Sequence, residues 1–349
     1  LSYPGLGFLY RAGETSFIVA GEGFDVAQRA STGRLPSNTQ IDDLVRRVHR
    51  RLSSVEEGTV ADYIPALAEA NPDWFGIAFA TAGGSLHLAG DVAVGFSLQS
   101  VSKAFVFALV REAYGHGRVE QRVGANNTGL PFDSVIAVEL NHGHPMNPMV
   151  NAGAIATTAL VPGGDHAERW SYIHGGLSRF AGRRLELDEA VYDSESRSNQ
   201  RNRAVALLLA SYGRLTSDPG ETIDNYTRQC ALSVTAEDLA VMGATLADGG
   251  TNPVTGERVV SEETSRDTLA VLAACGLYER SGEWLYDIGL PAKSGVSGGI
   301  VAIAPGKGAV GVFSPRLDAS GNSVRGQRAC GVLSRGLGLN LFASSAAVL

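Results

Sequence analysis

The sequence predicts an α+β fold: an antiparallel sheet built from both chain ends, packed with helices, plus a helical lobe. Three observations carry this expectation. "FGIAFATAGGSLHLAG", Phe75 to Gly90, reads as two strands around a Gly83-Gly84 turn. "GIVAIAPGKGAVGVFSP", Gly299 to Pro315, reads the same way around "PGKG". Between them, from Ser100 to about Tyr278, the apolar pattern is mostly helical. Strands at both ends with helices between them form the α+β pattern. The sheet is expected from about 60–99 and 290–349 and the helical part from about 100–289, so that 37–349 make one domain. Residues 1–36 are Gly-rich and mixed, an extension with no assignable role.

The elements follow in order. A helix begins near Asn38, because Ile41, Leu44, Val45, Val48 and Leu52 recur at helical spacing with charges opposite. "RRVHRR", Arg46–Arg51, lies on that helix as a solvated face. After the first hairpin a strand ends at about Phe96, and "SVSKAFVFALVREAYG" reads as a helix closed by Gly115. Thr235 and Asp238 form a capping-box pattern before "LAVMGATLA", which Gly249 stops.

Composition narrows the function. The chain has 349 residues, 44% of them apolar, and a net charge of −7, which argues for a folded domain and against a nucleic-acid partner. No apolar run approaches the ~20 residues that span a bilayer. The first residues lack the basic segment of a signal peptide. Three scattered cysteines, Cys230, Cys275 and Cys330, make no disulfide framework and fit a reducing cytoplasm. No HExxH or CxxC pattern occurs, and the "HGH" at His142–His144 reads as a polar loop, so neither metal nor cofactor is expected.

Lysine usage is the sharpest signal. The chain has 26 arginines and only three lysines, Lys103, Lys293 and Lys307. Lys103 follows Ser100 by three residues, so both share a helix face. A serine hydroxyl is a weak nucleophile until a base takes its proton. Arginine cannot serve, because its pKa stays above ~12; a buried lysine can, because burial disfavours its charged form. The helix around Lys103 is apolar nearly all round, which places the amine inside. Lys293 opens "KSG" before the second hairpin, and penicillin-recognising serine enzymes pair S-x-x-K with such a K-[ST]-G strand. Lys307 falls in the "PGKG" turn and reads as solvated.

A longer series then becomes specific: "YIPALA" (Tyr63 to Ala68), "FSLQSVSK", "NPMVNAGAI", Ser194-Glu195 followed by Arg201-Asn202, "GERV", "CGLY", "GLPAKSGVSGG" and "GNSVRG". This order and spacing, from about Tyr63 to Gly326, resembles the serine-dependent glutaminases, enzymes of the β-lactamase/transpeptidase-like fold that hydrolyse L-glutamine to L-glutamate and ammonia. The resemblance implies Ser100 as nucleophile, Lys103 as its base, Tyr278 as a proton relay, and the backbone amide of Val296 completing an oxyanion hole with that of Ser100. It implies Glu195, Asn151, Asn202 and Tyr226 as contacts to the amino acid's α-groups, with Tyr63 and Gln99 at the pocket wall. It also implies a homodimer or homotetramer. The chain departs from the family pattern at Asn126-Asn127, where a Glu-Pro pair is usual.

Taken singly, these residues have ordinary readings. Asn151 and Asn202 could cap helices, Glu195 could be a solvated loop residue, and Tyr226 and Tyr278 could be packing tyrosines. Two other functions share the pattern: a β-lactamase or esterase on the same fold, and a non-catalytic ligand sensor. A carboxylate for an α-ammonium separates glutamine from the former, and ammonia release is the test that separates an enzyme from the latter.

Overall fold

The structure, a computed structural model, describes residues 34–344. The extension expected over 1–36 therefore lies almost wholly outside the described residues. Eight strands are present among them: β1 (Gly76–Thr81), β2 (Leu86–Gly90), β3 (Phe96–Ser97), β4 (Glu186–Leu187), β5 (Leu232–Val234), β6 (Ala292–Ser294), β7 (Gly299–Ala304) and β8 (Gly308–Phe313). The helices in chain order are α1 (Asn38–Leu52), α2 (Pro65–Ala68), α3 (Ser102–Tyr114), α4 (His116–Glu120), α5 (Val135–Leu140), α6 (Asn151–Ala159), α7 (His166–Ala181), α8 (Glu189–Ser198), α9 (Gln200–Ser211), α10 (Pro219–Cys230), α11 (Ala236–Ala247), α12 (Glu262–Cys275), α13 (Ser281–Asp287) and α14 (Val324–Gly336).

The main sheet has the order β2-β1-β8-β7-β6, antiparallel throughout. The two hairpins thus meet at the β1–β8 seam, where Gly76 pairs with Phe313 and Thr81 with Gly308. This is the sheet from both chain ends that the sequence predicts. Its side chains alternate as the pleat requires. Ile77, Phe79, Val310, Val312, Ile300 and Ala302 pack with Ile41, Val45 and Val48 of α1 and Leu333 of α14. Ala78, Ala80, Val301, Ile303, Ala309 and Phe313 face the other way, toward Leu239, Ala240 and Val241 of α11. A β-carbon on Gly311 would sit 2.2 Å from the Ala236 carbonyl oxygen, and one on Gly243 would sit 2.6 Å from Ala309 Cβ. Those two glycines let α11 lie close against the sheet.

The expected helix starts hold: α1 begins at Asn38, where the structure adds a box of Ser37 and Gln40, and the expected Thr235–Asp238 box opens α11. Arg46, Arg47, Arg50 and Arg51 are exposed, as expected of a solvated face. A second sheet, β3-β5-β4, was not foreseen; it ties the strand before Ser100 into the helical part.

One expectation is overturned. Lys307 is not solvated: it is buried, and its Nζ donates to the Gly338 carbonyl at 2.6 Å, just past the end of α14. A cation there meets the negative end of the helix. Lys307→Met leaves that carbonyl without its donor and should cost about 1–3 kcal/mol of stability, read as a lower urea midpoint at unchanged slope. An unchanged midpoint would show the contact to be neutral.

Candidate active site

The site forms where α3, the end of β6 and the α6–α10 lobe converge. Gln99 has φ +50° and Tyr278 φ +57°, left-handed conformations uncommon for side-chain-bearing residues. Such conformations persist where surrounding structure over-determines them, often at active sites. The bend at Gln99 turns the chain from β3 into a single 3-10 turn (Gln99–Val101) that runs on into α3. Ser100 lies in this first turn, whose amides have no partner further back in the helix.

Lys103 is 1% exposed. Its Nζ donates to Asn151 Oδ1 at 2.6 Å and to the Met149 carbonyl at 3.3 Å, both neutral acceptors. Burial pulls its amine down to about 8 from the usual 10.5. Tyr278 is buried, and burial pushes its phenol up to about 12. Its hydroxyl is hydrogen-bonded with Ser100 and donates to the Ser294 carbonyl at 3.3 Å. The proton on Tyr278 is therefore held firmly at neutral pH, whereas that on Lys103 is shed readily.

Lys293 lies against the same tyrosine. Its Nζ is 4.2 Å from the Tyr278 ring centroid and donates to the Ser294 carbonyl at 2.8 Å. Complete burial, and then the charge of Lys103, hold its pKa well below the usual lysine value. Phe132 closes the other side, with its ring centroid 4.5 Å from that of Tyr278 and 5.8 Å from Lys103 Nζ. Sequence reasoning missed Phe132, because an aromatic in a loop carries no spacing signal.

The loop after β6 packs on the Ser100 turn. A β-carbon on Gly295 would come within 3.1 Å of the Leu98 carbonyl oxygen and 3.2 Å of Gln99 Cβ. Ser297 Oγ donates to the Ser97 carbonyl at 2.7 Å across 200 residues of chain. Val296 sits in this loop, buried beside Ala61, Ile64 and Leu317. Among the described residues its amide has no backbone acceptor.

The lobe supplies the remaining polar groups. Asn151 starts α6, but Val150 holds the cap position, so its side chain is free to bridge rather than cap. Asn151 Nδ2 donates to Asn202 Oδ1 at 3.0 Å, and the Tyr226 hydroxyl reaches Asn151 Oδ1 at 3.5 Å. Asn151 thus joins Lys103, Asn202 and Tyr226. Glu195, on α8, is half-buried and accepts a hydrogen bond from Gln99 Nε2. Burial raises its carboxyl to about 7, against the lowering effect of Gln99. Tyr63 is the outlying member, 60% exposed. The structure joins Lys103, Asn151, Asn202 and Tyr226 in one hydrogen-bonded chain and sets Tyr278 beside Ser100 and Glu195 beside Gln99, with Tyr63 more exposed. At the departure in the loop, Asn127 Nδ2 bonds the Ala274 carbonyl and Asn147 Nδ2 bonds that of Asn126. Chemically the arrangement offers a serine hydroxyl, a buried amine of lowered pKa, a buried phenol, a carboxylate and a cluster of polar amides.

The sequence model of the family described as Glutaminase matches residues 58–342. The chain belongs to the glutaminase family. A protein called glutaminase 2 from Yersinia pestis is 52% identical over 314 residues, covering 90% of this chain and 92% of that one. A glutaminase from Colwellia psychrerythraea is 45% identical over 307 residues, covering 88% and 99%. Among solved structures, the probable glutaminase ybaS superposes with a TM-score of 0.87 at 43% identity, covering 88% of this chain and 99% of that chain. Mglu in its glutamate form gives 0.83 at 43% identity, covering 88% and 70%. The protein is thus a hydrolase of the glutaminase family with the serine β-lactamase-like fold.

Proposed function

We propose that glutamine hydrolysis in this protein runs through a Ser100 acyl-enzyme with Lys103 as base. The observation that carries this is the buried Lys103 amine, bonded only to neutral acceptors and lowered to about 8. Ser100 Oγ attacks the side-chain carboxamide carbon while Lys103 takes its proton. The oxygen becomes negative and is met by the amides of Ser100 and Val296; each such donor is worth about 2.7–4 kcal/mol. The C–N bond then breaks, and the nitrogen leaves as ammonia with a proton relayed by Tyr278 and Lys103. Water, activated in the same way, splits the glutamyl ester and returns Ser100. Lys293 keeps the Tyr278 ring in place through its contact with the ring face.

Recognition follows the chemistry of a free amino acid. Glu195 pairs with the α-ammonium, and Asn151, Asn202 and Tyr226 serve the α-carboxylate, with Gln99 and Tyr63 at the wall. Gln99 Nε2, which bonds Glu195 here, is displaced by the ammonium. The capture of Mglu in a glutamate form supports a site that holds the product's α-groups.

Glu195→Gln tests this reading. It keeps the shape and removes the charge, so KM for glutamine rises about 10- to 100-fold with a smaller change in kcat, the range for a charged hydrogen bond. Unchanged affinity would refute the ammonium contact. In the unsubstituted protein the same group gives a pH signature. The carboxylate form, needed for binding, is lost as pH falls through about 7, so KM climbs from pH 8 to pH 6. Nitrocefin turnover without ammonia from glutamine would select the β-lactamase alternative.

Two further parts of the proposal concern setting. The protein works as a homodimer or homotetramer, supported by the exposed apolar Val135, Ile136 and Leu140 on α5; light scattering after size exclusion decides it. It works in the cytoplasm, supported by three buried, unpaired cysteines. No helix among the described residues is long and apolar enough to cross a membrane.

A further inference from the structure

Helices α8, α9 and α10 each carry one proposed substrate contact: Glu195, Asn202 and Tyr226. The residue after each of these, Ser196, Arg203 and Thr227, lines a separate cavity of about 380 Å³ on the adjoining flank of the same helices. A single residue step turns a helix by about 100°, so the two sites share walls without sharing residues.

The cavity's polar groups are joined across the three helices. Asn199, at the α8–α9 junction, donates from Nδ2 to Thr227 Oγ1 at 3.1 Å. Arg203 donates from Nε to Asn199 Oδ1 at 2.7 Å and from Nη2 to the Ser196 carbonyl at 3.2 Å. The Asp224 carboxylate, also in the lining, is already satisfied: it accepts from the Tyr192 hydroxyl and from Arg228 Nε at 2.6 Å, with His166 Nε2 at 2.8 Å. With Asp224 paired to Arg228 outside the lining, Arg203 is the charged group of the lining that keeps donors to offer. Arg203 is exposed and has further N–H donors beyond those two bonds. The rest of the lining is apolar: Leu207, which is 64% exposed, Ile223 and Pro219.

We propose that this cavity is a second binding site for a small monocarboxylate with an apolar body, and that its occupancy alters glutamine affinity. The carboxylate pairs with Arg203 and the body covers Leu207, Ile223 and Pro219. Binding restrains the α8–α9 junction against α10 and so biases the placement of Glu195, Asn202 and Tyr226. The effect on glutamine rests on the reading of those three residues as substrate contacts; the binding itself does not.

The probe is 4-phenylbutyrate, titrated calorimetrically into the full chain. Saturable, low-millimolar binding is expected, as suits a ligand of this size. It persists in Ser100→Ala and in the presence of glutamate. It weakens about tenfold or more in Arg203→Met, the loss of a charge-assisted hydrogen bond, and also in Leu207→Glu. In the active enzyme the probe shifts KM for glutamine by about fivefold, saturably, with little change in kcat; both substitutions remove the shift. Absence of binding, binding that glutamate displaces, or binding that survives both substitutions overturns the site. Binding that depends on Arg203 but leaves KM unmoved overturns the coupling alone, and Glu195→Gln then tells whether the contact reading has failed.

Discussion

Replacing Ser100 by alanine will bring ammonia release from glutamine to background, a loss of about 10⁴-fold or more in kcat, while the melting temperature stays near that of the parent. The asymmetry follows from what one oxygen atom does. Ser100 is buried, but the substitution removes a single oxygen and so little volume. Tyr278 keeps its bond to the Ser294 carbonyl, and the turn is held by backbone geometry at Gln99. Only the proposed nucleophile disappears. Ammonia assays paired with thermal melts provide the check. An alanine variant with substantial turnover would remove the acyl-enzyme; one that melts far lower would recast Ser100 as a structural residue.

Lys103→Arg will be almost as damaging, about 10³-fold in kcat, within the range for loss of a general base. The charge remains but cannot be given up. The pH profile separates this from simple crowding. In the unsubstituted enzyme the lysine pKa is lowered, so the neutral amine gains population as pH rises through about 8. Below that point each unit of pH costs tenfold in neutral base, and kcat rises along the same limb. The arginine variant has a residual rate without that limb. If its residual rate still climbs through pH 8, another group is the base. Lys293 is the alternative within reach, since it too is buried and lowered.

Much of this was legible in the sequence, and the reason is local. Ser100 and Lys103 are three residues apart, so helix periodicity alone assigns them to one face. Both hairpins declare themselves through turn glycines and flanking apolar runs. What was not legible came from long-range packing. Lys307 reads as a turn residue and would be solvated if the turn stood alone. It is buried because the end of α14, 31 residues later, comes to rest on it. Phe132 enters the site because its carbonyl accepts the Asn151 amide at 2.8 Å, a contact no sequence pattern announces. The β3-β5-β4 sheet escaped for the same reason: its strands are two or three residues long and drawn from distant segments. For Glu195, Asn202 and Tyr226, spacing gave no reason to prefer chemistry over capping or packing; only the whole series did.

The Ser297–Ser97 hydrogen bond spans 200 residues, and this has a consequence for biosynthesis. A ribosome adds about 5–20 residues per second, so the segment bearing Ser100 precedes the loop bearing Val296 by about 10–40 s. Throughout that interval β1 lacks its neighbour β8, and the nascent polypeptide has the proposed nucleophile without the proposed second oxyanion donor. On the proposed mechanism, catalytic competence arrives only with the last strands of the sheet.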